Sequence, residues 1–140
     1  MAAYNKFNAF VENIAEGVHN FQSHTLKVML TNSAPSASNT VKTDITEISA
    51  GNGYTAGGAT VTTSSSSQTS GTYRLVCADV VFTATGSVGP FRYAVLYNDT
   101  PTSPADPLVG WWDYGSALTL ANGETFTVDF DGTNGVFSLA

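Results

Sequence analysis

Four groups of residues carry side chains and spacings that could do chemistry. His19 and His24 lie five apart; on a continuing helix that spacing splays them by about 140°, so no metal pair is expected. Asp129, Asp131 and Asn134 with Gly132 and Gly135 resemble part of a calcium loop, in which alternating acids aim oxygens at one ion. The closing bidentate acid is missing, and Asp-Gly and Asn-Gly are strong hairpin signals, so the reading here is a turn. Trp111, Trp112 and Tyr114 beside Asp113 could form the aromatic platform of a sugar-binding surface. Strand alternation sends the two tryptophans to opposite faces, which places one in the core. Asn98, Asp99 and Asp106 read first as turn residues, with an ion shared between subunits at Asp99 and Asp106 as the sharper alternative. No Ser, His and acid set has a nucleophile-elbow context, and no cofactor motif occurs, so the expectation is no catalytic residue, no cofactor and no metal.

The element that must position most of these groups is residues 90–115, PFRYAVLYNDTPTSPADPLVGWWDYG. Phe91, Tyr93, Val95 and Tyr97 alternate with Arg92, Ala94 and Leu96 at the period of a half-buried strand. The Asn98-Asp99-Thr100-Pro101 and Ser103-Pro104 stretches supply turn chemistry, and a second strand begins at Leu108. The hairpin therefore joins the densest apolar content to an exposed tip.

Upstream, residues 3–16 place Tyr4, Phe7, Val11, Ile14 and then Val18 at spacings of three and four, the mark of an amphipathic helix. Gly17 is its expected stop. Its apolar stripe packs either on its own domain or on a neighbouring subunit. Residues 25–32 read as the first strand, with Leu26, Val28 and Leu30 on one face and Lys27 and Thr31 on the other. Asp44 and Glu47 have capping-box spacing for a short turn, and the glycine-rich residues 50–59 form a loop. The Ser/Thr run at residues 60–70 suits a water-facing edge strand ending in a Ser70-Gly71 turn. Strands follow at 73–77, 80–84, 117–120 and 125–130, the last with Phe126, Val128 and Phe130 on one face; a final hairpin leads to 136–139.

One helix followed by about eight short strands is the pattern of a mainly β protein, an antiparallel β-sandwich or jelly-roll-like domain with an N-terminal amphipathic α-helix. A chain of 140 residues suits one domain, 1–140, with the helix in 1–20 and the sandwich in 25–140. The net charge of −6 and the five scattered Lys and Arg residues argue against nucleic acid. No apolar run approaches a membrane span and no signal peptide is apparent, so the chain is expected to be made in a cytoplasm, without a membrane partner. Cys77 is alone and reads as a buried thiol.

Residues 25–58, 89–101 and 110–140 resemble a family of small virion structural proteins of tailed bacteriophages, described as capsid decoration or head-associated proteins. The resemblance covers nearly the whole chain and carries no catalytic signature. It implies a non-enzymatic part of the virion, made in the host cytoplasm and placed on the capsid surface. There it would bind the major capsid protein and stabilise the head lattice, commonly as a homo-oligomer such as a trimer. A tail, baseplate or head-fibre component, or a carbohydrate-binding adsorption module, is the alternative. The expected oligomer or capsid contacts are Tyr4, Phe7, Val11, Ile14 and Val18, together with Asn98, Asp99 and Asp106 in the loop.

Overall fold

The structure is a computed structural model and describes residues 2–140. Strand accounts for 47% of the chain and helix for 8%, so the protein is mainly β, with antiparallel sheets consistent with a β-sandwich and one short N-terminal helix. The strands are β1 (Asn5–Lys6), β2 (Leu26–Thr31), β3 (Ala59–Val61), β4 (Thr63–Thr69), β5 (Thr72–Cys77), β6 (Val80–Thr83), β7 (Val88–Asn98), β8 (Leu108–Leu120), β9 (Thr125–Val128) and β10 (Phe137–Leu139). They form a five-stranded sheet of order β1-β8-β7-β2-β3, a three-stranded sheet β10-β5-β4 and a two-stranded ladder β6-β9.

The long hairpin of β7 and β8 is the centre of the largest sheet, as its apolar content requires. β2 is buried on both faces: Leu26, Val28 and Leu30 join the larger core cluster, while Met29 points the other way into a smaller one. The larger cluster unites all three sheets through Leu75 and Cys77 of β5, Phe82 of β6, Val128 of β9 and Phe137 of β10. Burial pushes the Cys77 thiol up to about 11, which leaves it protonated and inert at neutral pH. The Ser/Thr strand β4 is indeed a sheet edge, and both residues of its Ser70-Gly71 turn take positive φ.

Three expectations require correction. The helix is α1 (Asn8–Ala15), not residues 3–16. Its stop is as expected, with Gly17 at φ +74° and the Gly17 and Val18 amides bonding back to Ile14 and Asn13. Its start is not, because Asn5 and Lys6 pair with Trp111 and Gly110 of β8. Tyr4 lies over Gly110 so closely that a Cβ there would stand 2.1 Å from the ring. Phe7, at the helix entrance, is fully buried under Trp111 with ring centroids 4.6 Å apart. Burying that ring contributes about 2–3 kcal/mol, more than continuing a helical turn through it offers.

Strand β10 pairs with β5, not with β9. The Asp131 carboxylate accepts from the Thr133 and Asn134 amides, folding a turn that carries the chain across to the other sheet. The strict alternation along β7 also fails, most widely at one of its three register shifts against β8. Between the pairs Phe91–Leu118 and Tyr93–Asp113, β7 advances two residues and β8 five. This bulge re-phases β7, so Phe91 joins the larger cluster with Ala94 and Leu96, while Val95 and Tyr97 join the smaller.

Candidate functional site

The expected contact residues separate into three environments. Tyr4, Val11 and Ile14 line one apolar groove of about 310 Å³ together with Lys6, Phe10 and Leu139. One wall is the outward side of α1; the other is β10, which, like β1, is the end strand of its sheet. Val11 is 52% exposed and Leu139 41%, whereas Phe10 forms the floor against Phe137. The Tyr4 hydroxyl donates to the Val109 carbonyl, and burial raises its pKa well above the usual tyrosine range. Phe7 contributes nothing to this groove, being fully buried on the opposite face of the sheet. Val18 is half-buried beyond the helix end. The role of β10 was invisible to the helix periodicity and requires the β5–β10 pairing.

The loop residues form a second environment. Asn98 is fully buried, which corrects its expected place on a contact surface. Its side-chain amide lies 3.0 Å from His19 Nδ1 and 2.9 Å from His24 Nδ1, and its carbonyl oxygen accepts from the Thr100 amide. The two histidines thus converge, contrary to the helical projection, because α1 ends before either is reached. His19 stacks on Phe21, and burial, with His24 nearby, pushes its pKa down to about 4. The neutral imidazole is the form that accepts from Asn98. Asp99 pairs with Lys27 at 3.3 Å. Asp106 has φ +50° and a pKa raised by burial and by Asp99. Among the described residues no cluster of three or more His, Cys, Asp and Glu could hold a metal ion.

The third environment is a pocket of about 340 Å³ where the β6-β9 ladder parts from β7 and β8. Trp112 and Tyr114 of β8, Phe126 of β9, Arg92 of β7, and Asp129 line it. The two tryptophans take opposite faces as alternation requires: Trp111 seals the smaller cluster, and Trp112 packs between Tyr4 and Phe130 on the pocket side. Tyr114 lies within the β8 bulge, 56% exposed, with its ring edge-on to Phe126 at 5.6 Å. Arg92 donates through Nε and Nη2 to the two Asp113 oxygens at 2.8 and 3.1 Å. That bond, with a second from the Gly115 amide, holds the Asp113 carboxyl below the usual carboxylate range. Sequence alone marked Trp112, Tyr114 and Asp113 for this role but not Arg92 of β7 or Phe126 of β9, and it grouped Asp129, just past the end of β9, with the Asp131 turn instead.

No family model, curated protein or solved structure matches the chain. No described helix is long and apolar enough to cross a membrane. The geometry of these three environments therefore carries the functional argument.

Proposed function

We propose that the protein is a non-enzymatic structural component of a tailed-phage virion, a decoration protein that binds the major capsid protein on the assembled head and stabilises the lattice. The observation that carries this reading is the groove between α1 and β10. Exposed Val11 and Leu139 stand there beside two sheet edges, and no described residue covers them. Apolar side chains next to unpaired strand edges favour contact with another polypeptide. The low charge density adds to this, since contact by area rather than by ion pairs is what a repeated lattice interface uses. Many weak copies then stabilise the assembled shell by mass action. Of the two folds expected, the division into sheets of five, three and two strands favours a plain sandwich over a jelly roll. The reading places the protein on the capsid surface as a homo-oligomer, and assigns no catalysis, cofactor or nucleic-acid contact.

The test is a cryo-electron microscopy reconstruction of the particle containing this chain. Many copies over the outer capsid, with the α1–β10 groove turned towards the shell or a neighbouring copy, are expected. Density confined to the tail or a single vertex overturns the assignment.

A further inference from the structure

We propose that the pocket formed by Arg92, Trp112, Tyr114, Phe126 and Asp129 binds a neutral saccharide. The proposal stands apart from the assembly reading, because this pocket and the α1–β10 groove are lined by different residues. A pyranose ring has an apolar C–H face and a rim of hydroxyls, so its site needs an aromatic surface beside fixed polar groups. Both are present. Trp112 and Tyr114 stand two residues apart on β8, and Phe126 from the facing ladder supports Tyr114 edge-on.

The β8 bulge gives the aromatic surface its exposure. It inserts unpaired residues immediately after Asp113 and presents Tyr114 outward from the ladder, the re-aiming that bulges near sites commonly perform. A core tyrosine would not be held 56% exposed beside a partly buried tryptophan.

The polar groups distinguish a sugar from other ligands of similar size. The bidentate bond to Asp113 fixes the Arg92 guanidinium plane and neutralises its charge, leaving its remaining N–H donors for hydroxyl oxygens. Asp129 supplies an acceptor for hydroxyl protons. With Arg92 offset by Asp113 and Asp129 in addition, the local balance is acidic, which disfavours phosphate or an acidic sugar. A quaternary ammonium fits less well, since the guanidinium shares the cavity it would enter. A polyhydroxylated, uncharged ring uses every group present.

The experiment follows amide and indole NMR resonances of the isotope-labelled full chain during titration with cellohexaose, maltohexaose and chitohexaose at millimolar concentration, with tetramethylammonium chloride and sodium phosphate as comparison probes. At least one hexasaccharide is expected to shift the Trp112 indole and the Tyr114 and Phe126 amides in a saturable manner. Tyr114→Ala should weaken that binding about tenfold, and Arg92→Gln should also weaken it, whereas Val11→Asp, in the other groove, should leave it unchanged. Tyr114 is exposed, so its replacement tests the site without the unfolding risk of Trp112→Ala. The proposal is overturned if no hexasaccharide moves those resonances, if tetramethylammonium or phosphate alone does so, or if Tyr114→Ala binds as well as the unaltered chain.

Discussion

The five-stranded sheet buries both of its faces, but by different means. On one face Leu26, Val28, Leu30, Ala94 and Leu96 meet apolar side chains from the strands of the other two sheets. On the other, Met29, Val95, Tyr97, Leu108 and Phe7 have no second sheet of the described residues above them; Ile45 and Trp111 complete that cluster. Irregular chain roofs it instead, through hydrogen bonds such as Asn8 to Ala37, Leu108 to Thr40 and Lys42 to Asp106. Glu47 fastens this roof by accepting from the Tyr54 hydroxyl, the Gly57 amide and Lys42. Tyr97 reaches up to the Gly57 carbonyl. Strand packing thus secures one face, and polar fastening of loops secures the other.

The largest expected effect breaks the roofed face from within. Phe7→Asp places a carboxylate in a fully buried site and should cost about 4 kcal/mol or more, read as loss of a cooperative urea transition. Met29→Ala should remove about 2–4 kcal/mol from the same cluster while leaving the fold recognisable by circular dichroism. Glu47→Ala should cost about 2 kcal/mol and, more tellingly, speed amide hydrogen exchange in residues 45–57 well before that of β5 or β6. Uniform acceleration across both faces would show that they do not differ as described.

Acid sharpens the comparison from the strand-packed side. His19, against Phe10 and Phe21 of the larger cluster, is neutral in the fold, with its pKa lowered from 6.5 to about 4. The unfolded chain therefore binds the proton more readily, and stability fully present above about pH 6.5 is lost as pH falls towards about 4. Melting temperatures should fall across that window, and His19→Gln should flatten the slope. The smallest effect on stability belongs to exposed Val11→Asp, expected within about 0.5 kcal/mol of the unaltered chain, while under the proposed decoration role it should abolish capsid binding. Phe7 and Val11, four residues apart and grouped by helical spacing, should thus behave in opposite ways.

Legibility of the fold followed the range of the interactions. Period-two alternation marked β2, β7 and β9, and turn residues marked the β4–β5 hairpin, because these signals are local. Tyr4 and Phe7 fitted the helical spacing, yet Gly110 and Trp111, over a hundred residues away, draw them into a strand and a buried cap. The Asp131 turn mimicked a hairpin because its local bonds are those of one, while the partner of β10 is decided by Leu75 and Tyr73. Of the groove, Tyr4, Val11 and Ile14 were readable in sequence and Leu139 was not. Of the pocket, the aromatic residues of β8 were readable, and Arg92 required its neighbouring strand. The meeting of His19 and His24 at Asn98 depends on the path of residues 16–25, for which periodicity offers no guide.

The unequal advance of β7 and β8 between the Phe91–Leu118 and Tyr93–Asp113 pairs also bears on how the chain can change its length. The two halves of the hairpin are phased independently across that point. A residue gained or lost within 114–117 alters the size of the bulge without turning any flanking side chain from one face to the other. The same change between Tyr93 and Leu96, where the pairs with Asp113 to Gly110 run without a shift, would invert a whole strand segment and expose the core. Insertions and deletions among descendants of this sequence should therefore gather at the rim of the aromatic pocket, making it the part of the sheet freest to diversify.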